Sequence, residues 1–174
     1  MGVFEYFVLD ELFNPIKTAF KLKKMNRDLI VIQSIKINSK AEKVWEILTD
    51  PEKIKIYLFG TETTTDWKAG SPILFQGNYN GQQYIDKGTV LETIENTLLS
   101  YHYWSGFSGL EDRPENYSLV TYKIDNLTEN SVTFTWTQKG FANKESQCHS
   151  EEGLKAMLEQ IKILAENKVI NGHH

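Results

Sequence analysis

Residues 35–60, IKINSKAEKVWEILTDPEKIKIYLFG, decide the fold of this chain. A β-type run ends just before Ser39, which forms a capping box with Glu42 and so starts a short amphipathic helix. Asp50 and Pro51 end this helix and start a second one, because Asp is a good N-cap and Pro is favoured at the first helical position. The stretch therefore predicts a strand that leads into two short helices.

The chain after this stretch predicts an antiparallel sheet. Asn80 and Gly81 form a strong hairpin turn between two runs of alternating residues, and Gly88 in the second run predicts a bulge or sharp curvature. In the last strand, Val132, Phe134 and Trp136 alternate with threonines, which is typical of a sheet with one buried face. The expected strands are residues 29–37, 72–79, 82–94, 98–104, 117–124 and 131–139.

A long amphipathic helix follows the sheet. Ser150 is expected to cap it, with Glu151 and Glu152 in the first turn and Lys168 in the last, as the helix dipole favours. Its apolar stripe consists of Leu154, Met157, Leu158, Ile161, Leu164 and Ala165.

Residues 1–27 form a separate N-terminal extension of short helices or an irregular arm. Their apolar residues fall on one half of a helix, and Pro15 divides the segment. An amphipathic contact with a membrane or partner is one interpretation. The favoured one is an arm that packs on its own domain or on a second copy, because acidic residues weaken attraction to anionic lipid.

The composition indicates one folded domain and excludes several functional classes. The chain has 174 residues, 40% of them apolar and 12% aromatic, with a net charge of −4. All but two of the 19 basic residues are lysines, and no basic stripe is visible, so nucleic-acid binding is not expected. No apolar run is long enough for a transmembrane helix, and the N-terminus lacks the basic start of a signal peptide. A cytoplasmic protein is therefore the expectation.

No catalytic, metal or cofactor site is predicted. Cys148 and His149 are neighbours in sequence, without a nucleophile motif around them. Metal binding needs several convergent ligands, and two of the four histidines are the terminal His173 and His174, which resemble a tag remnant. His102 could serve as an acid or base in a pocket, but a hydrogen-bonded histidine on a sheet face is the favoured interpretation. No glycine loop that could hold a phosphate is present.

Several motifs together resemble a known superfamily. They are Ile37-Asn38-Ser39 with Ala41, Val44-Trp45, Leu48-Thr49-Asp50-Pro51-Glu52, Trp67 with Gly70, Gly88-Thr89-Val90-Leu91-Glu92, Leu99-Ser100-Tyr101, Thr121-Tyr122 and the helix bearing Gly153. The chain resembles the START-like (SRPBCC) superfamily and, within it, the group of homologues of the activator of heat-shock protein 90 ATPase. Tyr57 and Leu154 depart from the group, which often has Trp at both positions.

The resemblance implies an α+β helix-grip fold. A curved antiparallel sheet of about six to seven strands would wrap around the long C-terminal helix, with two short helices after the first strand. The domain would span residues 28–170, after the extension at 1–27 and before a tail at 171–174. Such a helix and sheet can enclose a ligand cavity.

The expected cavity and the resemblance together leave three alternatives for function. The first is binding of a hydrophobic or amphipathic small molecule or lipid; the second is a protein-interaction module that resembles the chaperone ATPase activators; the third is a cyclase-like or hydrolase-like enzyme. The expected lining residues are Phe75, Tyr79, Tyr101, His102, Tyr103, Trp136, Met157 and Ile161. The expected residues of the cavity mouth are Ile54, Tyr57 and Leu58.

Overall fold

The computed structural model describes residues 23–166. Most of the N-terminal extension, the tail at 171–174 and Lys168 lie outside the described residues. The first strand begins at Asn26, two residues before the predicted start of the domain. The guanidinium of Arg27 donates to the backbone oxygens of Tyr117 and Glu115, both at 3.0 Å, and so ties the start of this strand to a distant loop.

One seven-stranded antiparallel sheet, with the order β1-β7-β6-β5-β4-β3-β2, forms the frame of the molecule. Its strands are β1 (Asn26–Ile37), β2 (Glu62–Thr64), β3 (Pro72–Tyr79), β4 (Gln82–Ile94), β5 (Leu98–Trp104), β6 (Ser118–Thr128) and β7 (Ser131–Phe141). The first and last strands of the chain pair with each other, so the two short helices are an insertion between β1 and β2. The curved sheet, the long C-terminal helix and the two short helices confirm the predicted α+β class.

The hairpin between β3 and β4 turns as the sequence predicts. Asn80 has a φ of 51° and Gly81 a φ of 79°, the positive values that a two-residue hairpin turn of this kind requires. The prediction of a bulge at Gly88 was wrong in position, since the register between β4 and β5 shifts between Val90 and Glu92. Gly88 itself pairs regularly with Tyr103.

Within residues 23–166, three α-helices accompany the sheet: α1 (Ala41–Thr49), α2 (Pro51–Tyr57) and α3 (Lys144–Ala165). Short 3-10 helices span Gly106–Ser108 and Pro114–Asn116. The Asp50 carboxylate accepts from the Glu52 N–H at 2.9 Å, so the predicted cap of α2 is present. Ser39 is not the cap of α1, because the N-cap residue is Lys40, which makes no side-chain capping bond.

The start of α3 also differs from the prediction. Asn143, rather than Ser150, is the N-cap, and its side chain accepts from the Ser146 N–H at 2.8 Å. The Ser146 hydroxyl lies 3.1 Å from the Asn143 N–H and accepts from it, which completes a capping box. The helix is therefore almost two turns longer at its N-terminus than the sequence pattern indicated.

The long helix packs chiefly over β1. Two glutamines fix it there: Gln147 Nε2 donates to the Ile30 carbonyl and Gln33 Nε2 to the Glu151 carbonyl, both at 2.8 Å. The buried face of α3 consists of Gln147, Leu154, Leu158, Ile161 and Ala165. These side chains cover one part of the inner sheet face, while β3, β5, β6 and β7 contribute the aromatic cluster described next.

Candidate ligand-binding site

The alternation of side chains along β5 decides which of its residues face the interior. Tyr101 is buried and Tyr103 half-buried, while His102 between them is exposed on the opposite face. The structure therefore places the predicted lining residue His102 outside the interior. Burial and the nearby positive charge of Arg27 both lower the pKa of His102, so its ring is neutral at pH 7.

A continuous cluster of aromatic rings fills the inner face. The ring of Phe75 lies 6.0 Å from that of Tyr101 and 5.8 Å from that of Tyr103. Tyr122 continues the cluster, with its ring 5.6 Å from Tyr101 and 4.4 Å from Trp136. The structure thus brings together four predicted lining residues: Phe75, Tyr101, Tyr103 and Trp136. Tyr122, which was not predicted, lies between Tyr101 and Trp136 and connects them.

The tyrosine hydroxyls of this cluster form buried hydrogen bonds. The hydroxyl oxygens of Tyr101 and Tyr122 are 2.8 Å apart, and the Tyr57 hydroxyl donates to the Leu48 carbonyl at 3.3 Å. Burial raises the pKa of Tyr57, Tyr101 and Tyr122 above the ordinary value. These hydroxyls therefore stay protonated, and they offer neutral donors and acceptors within an apolar interior.

Asp86 is a buried carboxylate beside this cluster. It lies on β4 directly opposite Phe75 of β3 and is 6% exposed. The Tyr103 hydroxyl donates to Asp86 Oδ2 at 2.6 Å. Burial raises the pKa of the Asp86 carboxyl, and the bond from Tyr103 opposes that rise. Hydrogen bonding by the Ser105 side chain and by the Gly106 N–H also lowers this pKa, by less than the bond from Tyr103.

Two buried oxygens on this part of the inner face lack a partner among residues 23–166. They are Asp86 Oδ1 and Thr63 Oγ1. Thr63 lies on β2 directly opposite Phe75, so Phe75 stands between the two residues on adjacent strands. Buried polar atoms in native proteins are nearly always satisfied, so this pair is the most unusual polar feature of the interior.

An exposed aromatic group lies at the hairpin end of the same face. The ring of Phe107 is 5.9 Å from that of Tyr79 and 5.5 Å from that of Tyr84. The Tyr84 and Thr61 hydroxyl oxygens are 2.6 Å apart. Tyr79 is 59% exposed, so it lies at the surface rather than in the interior where it was expected to line a cavity. The physical reason is its place at the last position of β3, beyond the cover of the helices.

The predicted mouth residues lie deeper than expected. Ile54 and Tyr57 are each 1% exposed and belong to the core, while Leu58 is half-buried. The following residue, Phe59, is 63% exposed and has a positive φ of 51°. The most exposed large apolar side chain of this segment is therefore Phe59, just after α2, rather than one of the predicted mouth residues.

On the helix side, Ile161 is fully buried and Met157 is half-buried against the core. A separate open concavity of about 480 Å³ lies on the surface, between the start of α1 and the turns that follow β4 and β6. Its lining includes Lys40, Asn96 and Asn126, so it is polar and distinct from the aromatic interior.

The surroundings of Cys148 and the arrangement of His, Cys, Asp and Glu side chains bear on catalytic and metal chemistry. Cys148 is exposed on α3, and no nucleophile and base are paired beside it in the hydrogen bonds of α3. Within residues 23–166, no three His, Cys, Asp or Glu side chains converge as metal ligands. No helix in that range is both long and apolar enough to cross a membrane.

The fold and its aromatic interior define a START-like, helix-grip domain. A family model described as "Activator of Hsp90 ATPase homolog 1-like protein" matches residues 38–166, and the chain belongs to this family. No curated protein matches the sequence.

Solved structures show the same fold. The solution structure of ChR145 from Cytophaga hutchinsonii is 42% identical, with a TM-score of 0.69 and coverage of 83% of this chain and 98% of that one. The protein MLL2253 from Mesorhizobium loti is 19% identical, with a TM-score of 0.67 over 81% of this chain and 99% of its own. The Aha1 dimer from Colwellia psychrerythraea is 16% identical, with a TM-score of 0.63 over 82% and 98% of the two chains. The last two show a shared fold.

Three residues of the interior, Asp86, Thr63 and Tyr122, were not predicted from the sequence. The sequence contains a signal for Asp86, because Asp86 lies on the same face of β4 as Gly88 and Val90, and both of these residues are buried. An acidic residue at an inward position of a strand is unusual and could have been singled out.

Proposed function

We propose that this chain binds a hydrophobic or amphipathic small molecule, or a lipid, between the inner sheet face and α3. The observation that carries the proposal is the pair of buried oxygens without a partner, Asp86 Oδ1 and Thr63 Oγ1. Ligand sites of this kind combine a mainly apolar lining with a few polar groups that fix orientation. The aromatic cluster supplies such a lining, and the two oxygens supply such groups.

Binding requires rearrangement of the interior. The rings of Phe75, Tyr101 and Tyr103 contact one another, so a ligand would have to displace some of them. Tyr103 and Met157 are only partly buried, which makes them the side chains that can move at least cost. The proposed site is therefore one that opens as the ligand enters.

The first test is native mass spectrometry of the purified full chain, followed by solvent extraction and titration with 1-octanol. Trp136 contacts Tyr122 of the cluster, so a change in the tryptophan fluorescence of the chain reports binding. We expect either a co-purified small molecule or saturable binding of octanol. The absence of both overturns the proposal.

A pair of matched variants locates the binding. Ile161→Phe adds volume on the buried face of α3, while Ile32→Phe makes the same change at a position that is 62% exposed on β1. We expect octanol affinity to fall in the first variant and to stay unchanged in the second. An equal effect of the two would place the binding outside the interior.

A second candidate function is interaction with a chaperone of the Hsp90 type. The family description favours it, since the matched model is named after an ATPase activator. Exposed apolar residues on the outer face of β1, Ile30 at 39% and Ile32 at 62%, offer a surface for a protein partner. Addition of the full chain to such a chaperone should raise its ATPase rate if this is correct, and an unchanged rate opposes it.

A second copy of the chain is another protein partner that we propose. The Colwellia protein of the same fold is described as a dimer. Sedimentation velocity over a range of concentrations tests this directly. A dimer that dissociates on dilution supports self-association, and a monomer at every concentration opposes it.

A further inference from the structure

Asp86 lacks the cationic partner that a buried carboxylate normally has. It is 6% exposed, and no ion pair among residues 23–166 includes it. The Tyr103 hydroxyl donates to Oδ2 at 2.6 Å, and Ser105 and the Gly106 N–H contribute weaker hydrogen bonding. All of these donors are neutral, and Oδ1 has no partner within hydrogen-bond geometry among residues 23–166, so the carboxylate can still accept a charged donor.

A buried carboxylate in an apolar setting is costly unless a cation or several donors compensate it. No neighbouring side chain among residues 23–166 supplies a cation. Phe75, directly opposite on β3, is apolar, and Lys87, the next residue on β4, points to the other face and pairs with Asp112. The missing partner must therefore come from outside the described chain, or the carboxyl must hold a proton.

The surroundings of Asp86 favour a cation. The rings of Phe75 and Tyr103 meet edge to face beside it, with centroids 5.8 Å apart, and aromatic faces attract an ammonium group. Thr63, on the other side of Phe75, offers a second buried oxygen without a partner. A positively charged group at this place would meet a carboxylate, two rings and a hydroxyl. The rest of the cluster is suited to an apolar chain.

We infer that Asp86 binds the ammonium group of an amphipathic amine whose apolar chain lies along the aromatic cluster. This inference rests on the proposed function, and it narrows the ligand class from amphipathic molecules in general to cationic ones. Asp86 is the ion-pairing residue, and Tyr103 holds its carboxylate in place through Oδ2 so that Oδ1 stays available. Fatty acids are disfavoured, because a second carboxylate near Asp86 would be repelled.

The test compares three eight-carbon probes that differ only in the polar end: 1-octylamine, 1-octanol and octanoate. Binding to the full chain is measured at pH 7.5 by calorimetry. We expect octylamine to bind about tenfold more tightly than octanol, as a charge-assisted bond would give, with octanoate the weakest. Asp86→Asn should weaken the binding of octylamine about tenfold and should change the affinity for octanol by no more than about twofold.

Asp125→Asn is the matched control. Asp125 is an aspartate on the same sheet, but its side chain is 48% exposed and its carboxylate pairs with Lys123 at 2.9 Å. Removal of the Asp125 charge should therefore not change the binding of any probe. A second measurement does not depend on any variant. Octylamine should shift the carboxyl ¹³C resonance of Asp86 and leave that of Asp125 in place. This measurement decides the question if Asp86→Asn does not fold.

The outcomes separate the two proposals. Equal affinity for the three probes, or an equal loss for all of them in Asp86→Asn, overturns the role of Asp86 while interior binding stands. Absence of saturable binding by any probe overturns the proposed function itself. An octylamine titration that leaves the Asp86 resonance unmoved while binding occurs also overturns the inference.

Discussion

Gly88 offers a sharp test of the packing between β4 and β5. A Cβ atom at this position would lie 2.4 Å from the backbone oxygen of His102 and 3.5 Å from the Cβ of Ile73. A backbone carbonyl cannot rotate away as a flexible side chain can, so Gly88→Ala must push the two strands apart. Overpacking of this kind costs about 1–3 kcal/mol. Gly88 has no positive φ, so the clash alone causes the predicted loss.

Gly153 is the matched control for the same chemical change. It is exposed inside α3, where a methyl group added to its Cα would have nothing within 4 Å. Alanine is a better helix former than glycine, so Gly153→Ala should stabilise the protein by about 0.5–1 kcal/mol. The same substitution is therefore expected to lower the free energy of unfolding at position 88 and to raise it at position 153. The clash with the His102 oxygen accounts for the loss at position 88.

Urea denaturation of the full chain measures both effects. With a slope of about 2 kcal/mol per molar urea, Gly88→Ala should lower the midpoint by about 0.5–1.5 M and Gly153→Ala should raise it by about 0.3–0.5 M. An unchanged midpoint for Gly88→Ala refutes the close approach of the His102 carbonyl. A loss of stability in Gly153→Ala refutes the exposed position of that residue on α3.

Two further predictions concern the polar groups of the interior. Tyr103→Phe removes the hydroxyl that donates to Asp86, so the pKa of Asp86 should rise further above its ordinary value, as a pH titration of its carboxyl ¹³C resonance would show. An unchanged or lowered pKa contradicts the bond. Tyr101→Phe and Tyr122→Phe should each cost about 1–2 kcal/mol, since each leaves one buried hydroxyl without its partner. The variant that carries both substitutions should lose less stability than the sum of the two single losses. Additive losses in a double-mutant cycle, measured by thermal unfolding, would contradict the hydrogen bond between the two hydroxyls.

The sheet was largely predictable from sequence because local patterns determine it. The turn at Asn80 and Gly81 fixes the hairpin register, and the predicted bounds of β3, β4 and β5 agree with the structure. The helix starts were less predictable. Asn143 caps α3 with Ser146 at the third position, where a capping box usually has Glu or Gln, so the pattern at Ser150 was the more visible one.

The candidate site was only partly predictable, because burial depends on the position of a strand within the whole fold. Successive side chains of a strand point to opposite faces, so Tyr101, His102 and Tyr103 cannot all face the interior of the domain. The structure places His102 on the outer face. Tyr79 lies on the same face of β3 as the buried Phe75, but it is the last residue of the strand and is therefore exposed. The alternation along β4 indicates an inward position for Asp86, but only the three-dimensional structure shows that one of its oxygens lacks a partner.

The central claim is that an amphipathic molecule enters the interior between the sheet and α3. Nuclear Overhauser effects between the octyl chain of bound 1-octylamine and methyl groups of the full chain test it most directly. The account predicts contacts to Ile73 and Ile161, which are fully buried on the inner side. Contacts confined to the exposed Ile32 and Ile85, or none at saturating octylamine, would contradict it.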